Sequence, residues 1–199
     1  GFIVLVMDPP GQGERMQCID RSSGAQWVPW GTREHSYIDL MASLIGQDIA
    51  RYFTYDAIRC VDYLLSRPEV DPQRLGVTGN SGGSTQSCYL TMVDDRIQAA
   101  APANWPTTRA AYMRTGQAHD GEQNTFGAIT NGLDYDAFLS AFAPKPLIQL
   151  ATAYDFFTIE GNLEAIERTR RIYEILGASD QFDHVIGDHV HGYQKPLYQ

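Results

Sequence analysis

The segment Arg74–Leu90, RLGVTGNSGGSTQSCYL, constrains the fold of this 199-residue chain more than any other. A short apolar run passes at once into Gly79-Asn80-Ser81-Gly82-Gly83, and helix-compatible residues follow. A strand that turns this tightly into a helix brings the positions two before and two after the serine against each other. Only very small side chains fit there, and Gly79 and Gly83 occupy those positions. The start of the helix then aims backbone N–H groups at whatever is bonded to Ser81, with the Gly82 N–H as one oxyanion donor. A plain loop could carry the same glycine density, so the rest of the chain has to decide between the two.

The remaining sequence keeps a strand–helix rhythm. Residues 2–8, FIVLVMD, form a continuous apolar run that predicts a strand buried on both faces. Residues 11–43 read as polar and irregular, and contain Trp27 and Trp30. Apolar positions recur at helical spacing from Ile45 to Ser66, and RPEVDPQR stops them. Further strands are expected at 74–80, 97–103, 145–155 and 182–188. Helices are expected at 81–93 and 162–177, the second ending at Gly177. Five strands alternating with helices predict an α/β fold, a mostly parallel sheet with helices on both faces. They read as one domain over 1–199, with residues 104–143 as a cap or rim insertion.

A serine hydroxyl is a poor nucleophile without a base, and the base needs an orienting acid. In the order Ser, Asp or Glu, His, the chain offers Asp155 at the end of the strand LIQLATAY and His191 beyond the last strand. His189 is the rival base; His191 is preferred because Gly192 permits the sharp loop that a reaching imidazole needs. His184, inside a strand, reads as a packed residue. A metal site from Asp188, His189 and His191 is a weak match to any ligand spacing. Glu122 and Gln123 read either as solvated loop groups or as ligands for substrate hydroxyls. Trp27 and Trp30 read either as a sugar-stacking platform or as packing for the long loop.

Composition excludes several classes of function. The net charge of −9 and pI of about 4.9 disfavour nucleic acid and anionic membranes as partners. No stretch approaches the roughly 18 to 20 apolar residues of a membrane span. Cys18, Cys60 and Cys88 are odd in number and widely spaced, which suggests neither a zinc cluster nor a disulfide framework. Cys60 and Cys88 lie in helical patterns and read as buried thiols. The chain opens in an apolar run without a methionine, so a natural N-terminus and any targeting segment are expected to lie outside it.

With these residues in view, the sequence resembles the α/β-hydrolase superfamily, and within it the bacterial acetyl xylan esterase-like branch related to dienelactone hydrolases. VLVMDPPGQGER, EHSY, the run RYFTYDAIRCVDYLLSRPEVDPQRLGVTGNSGGST, DGEQN, APKPLIQLATAYDFFTIEG and HGY carry the resemblance over nearly the whole chain. It implies a carboxylic ester hydrolase acting on a small-molecule or carbohydrate ester, such as an acetyl ester, without metal or organic cofactor. Ser81 would be the nucleophile, Asp155 the acid, His191 the base and the Gly82 N–H an oxyanion donor. In that family the second oxyanion donor comes from a loop after an earlier strand. That loop and the N-terminal strands are expected to be lacking here. The alternatives are a prolyl-oligopeptidase-type serine peptidase, or a catalytically incomplete fragment or binding module of the same fold.

Overall fold

The computed structural model describes residues 1–195, which divide into two compact units. The first takes Gly1–Asp71 and His119–Gly127; the second takes Pro72–Ala118 and the described chain from Ala128 on.

In the first unit, helices α1 (Thr32–Ser43) and α2 (Ala50–Leu65) follow a long irregular stretch. Helix α2 forms where helical spacing predicts it, with Phe53, Ala57 and Val61 as a buried stripe at every fourth position. Helix α1 falls inside the region read as irregular. Its buried residues are Glu34, His35 and Ala42, so there is no apolar stripe for periodicity to reveal. Glu34 accepts the backbone N–H groups of Gln17 and Cys18. His35 Nδ1 lies 2.9 Å from Glu122 Oε2 on the 3₁₀ turn Gly121–Gln123, and Phe53 stands edge-on to the imidazole.

The run 2–8 forms no strand, which corrects the expectation of five. Its backbone has no ladder partner among the described residues, and Phe2, Val4 and Val6 stand exposed. Apolar, β-branched composition does not supply the sideways hydrogen bonds that define a strand.

The second unit holds a four-stranded parallel sheet of β1 (Gly76–Asn80), β2 (Ala99–Ala103), β3 (Leu147–Tyr154) and β4 (Phe182–Val190), in that spatial order. Ala103 and Leu150 centre its core, with Ala101, Ile148 and Val185 packed around them. Helix α3 (Gly82–Val93) covers β1 and β2. The short α4 (Arg109–Met113) lies on α6, and α5 (Tyr135–Ser140) bridges α3 and α6. Helix α6 (Ile159–Ile175) covers β3 and β4. It buries Ala165, Ile166, Thr169 and Tyr173 and stops before Gly177, whose φ of 70° a side chain would resist. Trp105 is fully buried among Tyr89, Tyr135 and Phe138. Among the described residues no helix is long and apolar enough to cross a membrane.

Candidate active site

Parallel strands bring their carboxyl ends to one edge of a sheet, where functional groups gather. The first residue past β1 is Ser81, past β2 Asn104, past β3 Asp155 and past β4 His191. Three of these four were singled out from sequence; Asn104 was not.

Ser81 sits in the turn between β1 and α3 at φ 58° and ψ −118°, a conformation L side chains rarely adopt. Its N–H donates to the Ala103 carbonyl at 2.9 Å, which fixes the turn to the neighbouring strand. A Cβ on Gly79 would fall inside 3.0 Å of the Gly83 backbone, so the close approach expected from sequence is present. The requirement is one-sided, however: a Cβ on Gly83 would meet nothing within 4 Å. Gly82 is the first residue of α3, so its N–H has no partner inside the helix and faces the turn as a donor.

Asp155 and His191 form a pair. His191 Nδ1 lies 2.8 Å from Asp155 Oδ2, and the two side chains are 23% and 1% exposed. The carboxylate also accepts the Thr152 hydroxyl at 2.9 Å and the Phe157 N–H at 3.0 Å. An ionised carboxylate only accepts, so Nδ1 carries the proton and Nε2 is left with its lone pair. The Phe156 ring lies 4.4 Å from the imidazole and the Phe157 ring 5.9 Å, giving it apolar walls. Gly192 follows at φ 150°, the conformational freedom anticipated for the loop after His191. Among the described residues no hydrogen bond joins Ser81 Oγ to His191. Nε2 faces Asn80 Nδ2 at 3.5 Å, the outer limit of a hydrogen bond.

The rival histidines lie elsewhere. His189 is inside β4, longer than expected, with Nδ1 on the Val190 carbonyl; His184 Nδ1 pairs with Arg170 Nη2 at 3.0 Å. Among the described residues no group of three or more His, Cys, Asp or Glu is placed to hold a metal. Cys88 is buried, which pushes its thiol up, whereas Cys60 is only half-buried, with its sulfur against Met7. Glu122 and Gln123 are buried rather than solvated. Trp27 and Trp30 are largely exposed, with Trp27 edge-on to Tyr37 at 5.1 Å.

A parallel sheet with helices around it and the strand–turn–helix at Ser81 make this an α/β-hydrolase-like fold. No family model matches the chain. It is 24% identical over 182 residues to the protein named "Putative hydrolase YtaP" of Bacillus subtilis (strain 168), a match covering 90% of this chain and 56% of that protein. Among solved structures it is similar to one titled a putative acetyl xylan esterase from Bacteroides fragilis NCTC 9343. That match has a TM-score of 0.68 at 15% identity and covers 96% of this chain and 46% of the other. It is also similar to a carbohydrate esterase family 15 glucuronoyl esterase from Caldicellulosiruptor kristjansonii. There the TM-score is 0.62 at 16% identity, with 75% and 47% covered. The chain thus spans about half the length of the proteins it matches.

Proposed function

We propose that this chain is the catalytic part of a serine esterase that cleaves carboxylic esters, with acetyl or similar esters of carbohydrates as its substrate class. The observation that carries the reading is the Asp155–His191 pair, built at the same sheet edge that presents Ser81 on a left-handed turn at a helix start. The names of the similar proteins, an acetyl xylan esterase and a glucuronoyl esterase, support the choice of carbohydrate esters.

In this reading the turn at Ser81 is a nucleophile elbow, and Ser81, His191 and Asp155 act as a catalytic triad. His191 Nε2 takes the Ser81 Oγ proton as Oγ adds to the ester carbonyl. Asp155 holds the imidazole in the tautomer that leaves Nε2 free and stabilises the imidazolium that forms. The tetrahedral oxyanion accepts the Gly82 N–H at the start of α3. Collapse expels the alcohol, which takes the proton from Nε2 and leaves an acyl group on Ser81. Water, deprotonated by the same nitrogen, then adds to the acyl carbonyl and releases the acid, returning the proton to Oγ. Of the segment 104–143 read as a rim, Asn104 stands beside the His191 loop.

Hydrolysis of para-nitrophenyl acetate by this chain, beside Ser81→Ala and His191→Ala, tests the reading, with circular dichroism to confirm that each is folded. Turnover is expected in the parent and a loss of about 10³-fold or more in both variants. A folded parent no faster than Ser81→Ala overturns it.

A further inference from the structure

We infer that Asn104 is a positioning residue of this site: its side-chain amide clamps the backbone after His191 to the residue before Ser81, and so fixes where the His191 imidazole stands at the sheet edge it shares with Ser81. The kinetic part of the inference rests on the esterase reading; the geometric part does not.

Ser81 and Asn104 are the two non-glycine residues with positive φ among the described residues, at 58° and 57°. They are the first residues past adjacent strands. Asparagine tolerates this conformation better than most residues, so the angle alone suits an ordinary turn. The side chain goes further than a turn requires. Asn104 is 1% exposed, and Nδ2 donates both of its protons: to Asn80 Oδ1 at 2.7 Å and to the Gly192 carbonyl at 2.8 Å. One amide nitrogen thus joins points 24 residues before it and 88 residues after it.

The orientation of this chain of amides follows from chemistry. The Gly192 carbonyl can only accept, so the Asn104 nitrogen must face it. The same nitrogen then needs the Asn80 oxygen, which leaves Asn80 Nδ2 to face His191 Nε2. A donor at Nε2 favours the imidazole with its proton on Nδ1, the tautomer that Asp155 demands from the other side. The Gly192 carbonyl thus sets, through two asparagines, both where His191 stands and which nitrogen is bare. The arrangement carries costs: a left-handed backbone at a side-chain-bearing residue, and an Asn104 Oδ1 with no partner among the described residues. Glycine would remove both costs and would also remove the clamp.

Two variants separate clamping from space-filling. Asn104→Gly accepts the backbone angle and deletes the donor; Asn104→Asp keeps the shape and deletes the donor. Both are expected to lower kcat on para-nitrophenyl acetate by about 10²-fold, the scale of a 1 Å misplacement, with KM within about twofold. In nitrogen-15 NMR, the His191 imidazole, assigned by its loss in His191→Ala, should show a bare Nε2 in the parent and averaged nitrogens in both variants. Adding Asn80→Ala to Asn104→Gly should cost less than the sum of the two, because they are links in one chain. An imidazole spectrum unchanged in both variants overturns the inference, and so does an Asn104→Asp variant that behaves as the parent. If the parent itself shows no turnover, the esterase reading fails and the spectrum still decides the role of Asn104.

Discussion

Thr152 and Phe157 each donate a hydrogen bond to the Asp155 carboxylate that pairs with His191, and so fix its orientation. Asp155→Asn places an amide where Nδ1–H must donate and forces the other tautomer. It should lower kcat by about 10⁴-fold with little change in KM, read by steady-state kinetics. Thr152→Val removes one of three donors and should cost kcat about tenfold, roughly 1.4 kcal/mol of orientation. The two glycines flanking Ser81 should part company in urea unfolding. Gly79→Ala drives a methyl group into the Gly83 backbone and should destabilise by about 1–3 kcal/mol. Gly83→Ala has open space and a helical backbone, and should be neutral or stabilising by up to about 1 kcal/mol. At this scale Ser81, Asp155 and His191 were legible because each follows a recognisable strand. Asn104 also follows one, but its meaning lies in a backbone angle and two amide bonds to distant residues. No local pattern of residue types announces those.

Among the elements, β1 to β4, α2 and α6 were legible because apolar periodicity or a continuous apolar run marks each of them, and α3 because the glycine-flanked turn at Ser81 announces its start. Two failures have opposite causes. Helix α1 buries the polar Glu34 and His35 with Ala42 as its one buried apolar residue, so its sequence carries no helical stripe. The run 2–8 has a strand's composition without a pairing partner among the described residues. The buried contact of α1 with the 3₁₀ turn at 121–123 gives a sharp test. Glu122→Ala leaves His35 buried without its hydrogen-bond partner and should destabilise the first unit by about 1–3 kcal/mol in urea unfolding. Gly121→Ala pushes a methyl group onto the His35 carbonyl and the Asp39 side chain. It should raise hydrogen exchange across 119–127 while leaving the amides of α3 protected.

For the molecule as a whole, acid stability turns on aspartates shifted in opposite directions. Arg96 beside Asp94 holds that carboxyl below its ordinary value of 3.8, so the group adds stability above that value and loses it as pH falls through the lower folded value. Burial raises Asp39 and Asp136, so they gain protons first in the folded state and add stability as pH falls toward 3.8. Asp94→Asn should therefore lower the urea midpoint at pH 7 and converge with the parent once the pH has fallen through the depressed folded-state value of Asp94, as acid unfolding curves would show. The Asn104 clamp has a further consequence, for the order in which the protein matures. Trp105 gathers its aromatic neighbours from residues 89 to 138, a modest loop to close. The clamp must unite residues 80, 104 and 192, and contacts of that sequence separation form late. During refolding of a Trp27→Phe, Trp30→Phe variant, the fluorescence of Trp105 should recover before the proposed nucleophile Ser81 reacts with a fluorophosphonate, so that reactivity is the last property to appear.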